Sequence, residues 1–281
     1  MSQADLHTHT TASDGRHRPA EVVRMACEAG LSGIAITDHD TVAGLEEALR
    51  AGAEFGIRVL PGVEISTAAE GRDIHMLGYG FKPADSLFFK RLVSQRSVRK
   101  TRNEAIVARL NELGMPIAYD EVLEIAMAAP RSNQSVGRPH IAEVLLRKGY
   151  VRNIRDAFDR FLAEGAAAYV DSPRIGPMEA VRWIHEAGGK AIVAHPGLYR
   201  NDRLVLELLE QGADGLEAFH SDHDDAQQRH YRTLAKSRGK LITGGSDFHG
   251  SREGVVFHGR VGHRSVDAAV IDLLLAGRES E

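Results

Sequence analysis

The chain has 281 residues and a mass of 30.7 kDa, with 43% hydrophobic and 26% charged residues, a net charge of -4 and a pI near 6.4. It is long enough for one large α/β core, or a core with an insertion, and its balance excludes a disordered chain and a non-specific binder of long nucleic acid. A single cysteine, Cys27, excludes a disulfide scaffold, a cysteine-rich zinc site and an iron–sulfur cluster, while fourteen histidines suit metal held by imidazole and carboxylate.

The N-terminal stretch MSQADLHTHT lacks the apolar run of a leader, and no apolar run reaches the roughly 18 residues that span a bilayer. A cytoplasmic protein without membrane contact is expected. Ala4–His7 reads as a strand start. Pro19–Ala29 carries apolar residues at helical spacing, with proline in its first turn and Gly30 at its end. Gly33–Thr37 is a buried strand, Leu45–Phe55 a helix, and Ile57–Ile65 and Ile74–Tyr79 are strands. This order implies a parallel sheet with helices outside it.

From about residue 84 to 169 the pattern is helical. Ser86–Leu113 is a long helix with room for one break, followed by helices at Asp120–Ala128, His140–Lys148 and Ile154–Leu162. The strand–helix rhythm then resumes. Pro177–Ala187 is a helix, Lys190–Ala194 a strand, Leu204–Gln211 a helix, Gly215–Phe219 a strand, Ala226–Ser237 a helix and Lys240–Thr243 a strand. Val266–Leu275 reads as a closing helix. The expected architecture is a closed barrel of parallel strands (residues 1–83 and 170–281) carrying a helical insertion (84–169).

Polar residues gather at the ends of the predicted strands: His7, His9 and Asp14; Asp38 and His39; Glu64; Asp73 and His75; His195; Glu217 to His223; Asp247 and His249. In a parallel barrel such ends share the face that carries enzyme sites. Strand alternation puts His7 and His9 on one side, about 7 Å apart along the chain, and Asp247 and His249 repeat that spacing. Six histidines with Asp14, Glu64 and Asp247 make nine candidate donors, too many for one ion. They suit two or three divalent ions, with Mn, Fe(II) and Zn all compatible. Taken singly each motif has a plainer reading. Asp38 could cap the next helix, and His195 could bond a backbone carbonyl.

The segments DLHTHTTASDG, ITDHDT, GVEIS, IHMLGYG, GRPHIAEVL, AHPG, GLEAFHSDH and GGSDFHG, in this order, resemble the PHP (polymerase and histidinol phosphatase) family of metal-dependent phosphoesterases. The likeness covers nearly the whole chain. It is strongest to a stand-alone bacterial branch that includes a nucleoside 3′,5′-bisphosphate phosphatase and a 5′-to-3′ exoribonuclease. The resemblance implies a distorted (β/α)7 barrel, TIM-like, with a trinuclear centre and Mn as its usual metal. It implies one site from His7, His9, Glu64 and Asp247, a second from Glu64, His75 and His195, and a third from Asp14, His39 and His249. It also implies that Arg138 and His140 of GRPH contact substrate phosphate. The branch often carries arginine directly after AHPG. Here Leu198 stands there, and Arg200 lies two residues on.

Ions joined by Glu64 would activate a bridging hydroxide to attack a phosphate ester. His140 and His223 are candidates to protonate the leaving oxygen, although a solvent-exposed loop also accounts for His223. Asp38 and Asp73 are candidates to orient ligand histidines. Lys90 to Arg109 holds seven basic residues against Glu104, with Arg96, Arg99 and Lys100 on one helical face. A solvated face explains this stripe, and so does a phosphate-rich ligand. The expected substrate is a small phosphorylated nucleotide such as a 3′,5′-bisphosphate. A short RNA cut from its 5′ end and a cyclic sugar phosphate are the alternatives, and no protein partner is expected. The other six histidines, His220 and His258 among them, carry no assigned role.

Overall fold

The computed structural model describes residues 2–82, 84–127, 135–252, 255–256 and 258–276. In chain order it builds β1 (Gln3–Asp5), α1 (Pro19–Glu28), β2 (Gly33–Ile36), α2 (Leu45–Phe55), β3 (Arg58–Ala69) and β4 (Arg72–Tyr79). The insertion follows with α3 (Ser86–Glu112), α4 (Tyr119–Met127), α5 (Arg138–Arg147) and α6 (Ile154–Ala157), the last continued by a π turn over Phe158–Leu162. Then come α7 (Pro177–Glu186), β5 (Lys190–Val193), α8 (Asp202–Gln211), β6 (Gly215–His220), α9 (Asp225–Lys236) and β7 (Leu241–Gly245). Short strands β8 (Ser251–Arg252), β9 (Val255–Val256) and β10 (Val266–Asp267) precede α10 (Val270–Leu275). Ala128, at the end of one predicted helix, lies outside the described residues.

The main sheet has eight strands in the order β10-β1-β2-β3-β4-β5-β6-β7. Its two long edges meet. The Leu6 N–H donates to the Gly244 carbonyl at 3.1 Å, the Asp247 N–H to His7 at 2.9 Å and the His9 N–H to Phe248 at 2.9 Å. Strand alternation then sorts the side chains. Ala4, Leu6, Ala35, Leu60, Leu77, Tyr79, Ile192 and Ala194 fill the lumen. Their neighbours Ile34, Ile36, Val63, Ile65, Met76 and Val193 face the outer helices.

This closure depends on Gly245, where a Cβ would stand 2.3 Å from the His7 backbone nitrogen. Gly245→Ala is expected to lower unfolding free energy by at least about 1–3 kcal/mol, because backbone cannot step aside as a side-chain tip can. A urea denaturation midpoint equal to the parent's would refute that reading of the seam.

Three expectations need correction. The barrel is not all parallel, since β4 runs antiparallel to both β3 and β5. The cause is the connection: only Glu70 and Gly71, both at positive φ, separate β3 from β4, and so short a link forces a hairpin. Val266–Asp267 is a strand antiparallel to β1, not the start of a helix. The Asp267 carboxylate accepts the Ala269 N–H at 2.9 Å and delays the helix. Lastly, α3 runs unbroken through 27 residues.

The insertion has its own core of Ile106, Leu110, Val122, Ile141, Leu145 and Leu162, among others. Helix α3 serves two cores, because Phe88 and Leu92 near its start pack with the barrel's outer core. No described helix is long and apolar enough to cross a membrane.

Candidate metal and phosphate site

The strand ends deliver one buried cluster. His7 and His9 follow β1, His39 follows β2 and bridges to Glu64 of β3, His195 follows β5, and Asp247 and His249 follow β7. His75 arrives from β4 against the expected direction, yet its register opposite Ser66 brings it to the same face.

Glu64 is the centre. Its Oε1 lies 2.8 Å from His75 Nδ1 and 3.0 Å from His195 Nε2. Its Oε2 lies 3.1 Å from His9 Nε2, 3.1 Å from His39 Nδ1 and 3.3 Å from His7 Nε2. Asp247 Oδ1 completes that side, 3.4 Å from His7 Nε2 and 3.2 Å from His9 Nε2. Asp14 stands further out, 3.4 Å from His249 Nε2 and 3.8 Å from His39 Nε2. Donor atoms of His7, His9, Glu64 and Asp247 lie within 4.8 Å of one another, as do those of His9, Asp14, His39 and His249. All nine expected donors are thus brought together.

The chemistry of the cluster fits cations. His7 Nε2, His9 Nε2, His39 Nδ1 and Asp247 Oδ1 are buried without hydrogen-bond partners. Lone pairs converging at such distances repel unless a cation or a proton sits between them. Imidazole nitrogens and carboxylate oxygens without thiolate suit Mn, Fe(II) or Zn. Without such ions, protons answer the same field. Burial lowers the His9 imidazole, but the Asp247 and Glu64 carboxylates raise it to about 10. Burial raises the Glu64, Asp14 and Asp247 carboxyls, yet the imidazoles around them hold all three well below the usual carboxylate range. Asp40 beside His39, His195 and Asp247 adopt positive φ, strain that local structure imposes where the donors converge.

Residues without an expected role steady the donors. Glu217 accepts from His7 Nδ1 at 3.0 Å and from the His195 N–H at 2.8 Å, which turns His7 Nε2 into the cluster. The signal was present in the sequence as one acid inside the apolar strand GLEAF. His220 Nδ1 accepts the Asp222 N–H at 3.1 Å and its Nε2 meets Asp247 Oδ2 at 3.2 Å. His258 Nδ1 meets Asp222 at 2.5 Å while its Nε2 lies 3.5 Å from Asp247 Oδ2. His220 stands in the strand-end cluster Glu217 to His223, but the acids that these two histidines meet, Asp247 for His220 and Asp222 for His258, are distant in sequence. Glu217→Gln is expected to weaken metal binding about 10- to 100-fold, as loss of a ligand-orienting acid does. Titration of the metal-stripped protein with Mn measures this, and unchanged affinity would remove Glu217 from that role.

The remaining expected residues divide. Asp38 accepts from the Thr10 N–H at 2.8 Å, from Thr10 Oγ1 at 2.7 Å and from Ser13 Oγ at 2.6 Å, and Ser13 lies 3.5 Å from His9 Nδ1. It fixes the loop that carries His9. Asp73 instead pairs with Arg138 at 2.5 Å and with Arg174. His140 Nδ1 accepts the Gly137 N–H at 3.0 Å. His223 is buried, with Nε2 accepting the Gly197 N–H and Nδ1 donating to the Ala218 carbonyl, both at 3.0 Å, and burial lowers its pKa. A cavity of about 200 Å³ opens over the cluster, lined by Glu64, His75, Asp247 and His249, by Arg99, Arg102, Arg138 and Arg174, and by Leu198 and His258. His140, His223 and Arg200 are not among its lining residues. The basic stripe of α3 splits: Arg99 turns inward to Asp40 at 2.5 Å and to Ser66, whereas Lys100 is exposed beside Glu104.

Comparison with known proteins agrees with this picture. A 5′-3′ exoribonuclease of Haemophilus influenzae is 37% identical over 87% of this chain and 89% of its own length. A 3′,5′-nucleoside bisphosphate phosphatase of Chromobacterium violaceum is 34% identical over 90% of each chain. A crystal structure described as a metal-dependent phosphoesterase from Bifidobacterium adolescentis superposes with a TM-score of 0.89 at 32% identity, covering 99% of this chain and 96% of that one. The PHP domain model matches residues 5–224. Motif order, the barrel with its reversed β4 and the Glu64-centred cluster thus lead to one family: the chain belongs to the PHP domain family.

Proposed function

We propose that this chain is a metal-dependent phosphoric ester hydrolase that removes a phosphate monoester from a small nucleotide. The observation that carries the reading is Glu64, whose two oxygens each face a separate set of imidazoles at 2.8–3.3 Å. We assign His7, His9, Asp14, His39, Glu64, His75, His195, Asp247 and His249 as ligands of two or three divalent ions, with Mn the expected metal. Bound there, such ions would activate water and neutralise phosphoryl oxygens.

The protein's own groups do the rest. Glu217 and Asp38 hold His7 and His9 in place. Arg99 and Arg138 present guanidinium donors to phosphate oxygens. Residues 84–169 form the substrate cap. Proton delivery is assigned to neither His140 nor His223: both ring nitrogens of His223 hold backbone groups, and His140, outside the residues that line the cavity, holds the Gly137 N–H with Nδ1. The lone cysteine fits a cytoplasmic setting.

The cavity's small volume and the splitting of the α3 stripe favour a compact nucleotide over an RNA tracked along its backbone. Phosphate release with added Mn, from nucleoside 3′,5′-bisphosphates, monophosphates, cyclic phosphates and 5′-phosphorylated oligonucleotides, tests this. Turnover concentrated on the small monoesters supports it. Activity confined to cyclic diesters or to oligonucleotides overturns it.

A further inference from the structure

His195 is a candidate donor whose ring, among the described residues, has no hydrogen bond outside the cluster. Its Nε2 faces Glu64 Oε1 at 3.0 Å, but its Nδ1 is buried without a hydrogen-bond partner. A ligand histidine is normally aimed through its other ring nitrogen, as Glu217 aims His7. His195 must therefore be aimed through its backbone. That backbone sits at φ 25° and ψ 57°, a left-handed conformation that a residue with a Cβ seldom adopts. Glu217 accepts the His195 N–H at 2.8 Å, and the Leu198 N–H donates to the His195 carbonyl at 3.0 Å. Both bonds grip His195 itself, and the far side of the turn is held by a second device.

Gly197, on that far side, is held at both of its polar groups. His223 Nε2 accepts the Gly197 N–H at 3.0 Å, and Gln227 Nε2 donates to the Gly197 carbonyl at 3.3 Å. Neither side chain is free to swing. His223 Nδ1 donates to the Ala218 carbonyl of β6 at 3.0 Å, which leaves Nε2 as the acceptor and fixes the tautomer. Gln227 Oε1 accepts the Asp224 N–H at 3.0 Å, so the amide turns its N–H₂ group toward Gly197. The His223 ring is thus a rigid spacer between β6 and the turn after β5, anchored at the start of α9. The approach is close, since a Cβ at Gly197 would stand 2.7 Å from His223 Cδ2 and 2.9 Å from Gln227 Nε2. Gly197 does not adopt positive φ, so this contact, and not its backbone, is what calls for glycine.

We propose that His223 and Gln227 are positioning residues for the metal centre: by gripping Gly197 they hold the strained backbone of His195 and aim its ring at Glu64. The same turn carries Leu198, which lines the cavity and is 45% exposed, so the clamp sets one donor and one wall of the site together. This rests on the reading of His195 as a metal ligand and adds to it the support that its ring lacks.

The test is titration of the metal-stripped protein with Mn, in which His195→Ala identifies the binding step that depends on this ring. His223→Leu is expected to weaken that same step about 10- to 100-fold, the range for a residue that orients a ligand. His223→Gln should restore most of the affinity, because its amide offers an acceptor to Gly197 and a donor to Ala218. In a His195→Ala background His223→Leu should add no further loss, since no ring remains to be aimed. Gly197→Ala, which keeps His223 but drives a methyl group into its ring, should weaken the same step, and it carries the test if His223→Leu does not fold. An equal loss in both backgrounds overturns the proposal, as does a lower thermal midpoint with unchanged affinity in His223→Leu or Gly197→Ala. Either result makes the clamp structural and leaves the metal-ligand reading standing. A parent that binds no Mn, or a His195→Ala protein that binds it like the parent, overturns that reading as well.

Discussion

Glu64→Gln is expected to cost more than about 10³-fold in turnover, beyond the 10- to 100-fold typical of a residue that only orients a ligand. It should also strip metal from the purified protein. The carboxylate faces five imidazoles, three on one oxygen and two on the other. An amide offers one acceptor oxygen and turns an N–H₂ group toward nitrogens that themselves seek a cation. One set of imidazoles then loses its anionic partner outright. The shape of the side chain is unchanged, so circular dichroism should match the parent. Metal per chain from plasma mass spectrometry and kcat on the best substrate decide the matter. A variant that keeps both metal and rate would remove Glu64 from the centre of the site.

The second large effect is on stability. Arg99 and Asp40 form a buried pair at 2.5 Å with side chains 8% and 0% exposed. Arg99→Met leaves the Asp40 carboxylate buried without its cation, and a loss of about 3–5 kcal/mol is expected. Asp40 also accepts the Ser66 N–H at 2.9 Å, and its backbone carbonyl takes Arg96 Nη1 at 2.8 Å. The cost therefore falls on the loop that holds His39. Adding Asp40→Asn should restore a large part of the loss, since the stranded charge disappears. Urea unfolding of the single and double variants measures both steps. Equal stability in parent and Arg99→Met would mean that the pair contributes nothing to the union of insertion and barrel.

Much of the site was legible because strand alternation and strand ends are local properties. His7 and His9 needed only a period of two, and Asp247 and His249 repeated it. The direction of β4 was not legible, because an apolar run reads alike both ways and the deciding fact was a two-residue link. The α3 charges were visible as a stripe, but that Arg99 turns inward depends on Asp40 and Ser66, both outside that helix. Arg174 lay in a segment with no periodicity. His258 lacked any local cue and His220 stood in a marked segment without a role, since their acids, Asp222 for His258 and Asp247 for His220, reach them only on folding. His140 and His223 show the opposite case: they sit beside suggestive motifs, yet His140 Nδ1 and both ring nitrogens of His223 hold backbone groups.

Helix α3 has one more implication. Its 27 residues make a rod about 40 Å long, anchored by Phe88 and Leu92 in one core and by Ile106 and Leu110 in another. A hinge needs a joint where few contacts cross, and here the joint is the middle of a continuous rod. Tilting the insertion would lever α3 side chains out of both cores at once. Admission to the site is therefore a matter of fit and charge at a fixed doorway, and the binding step should follow simple second-order kinetics without a slow closing phase.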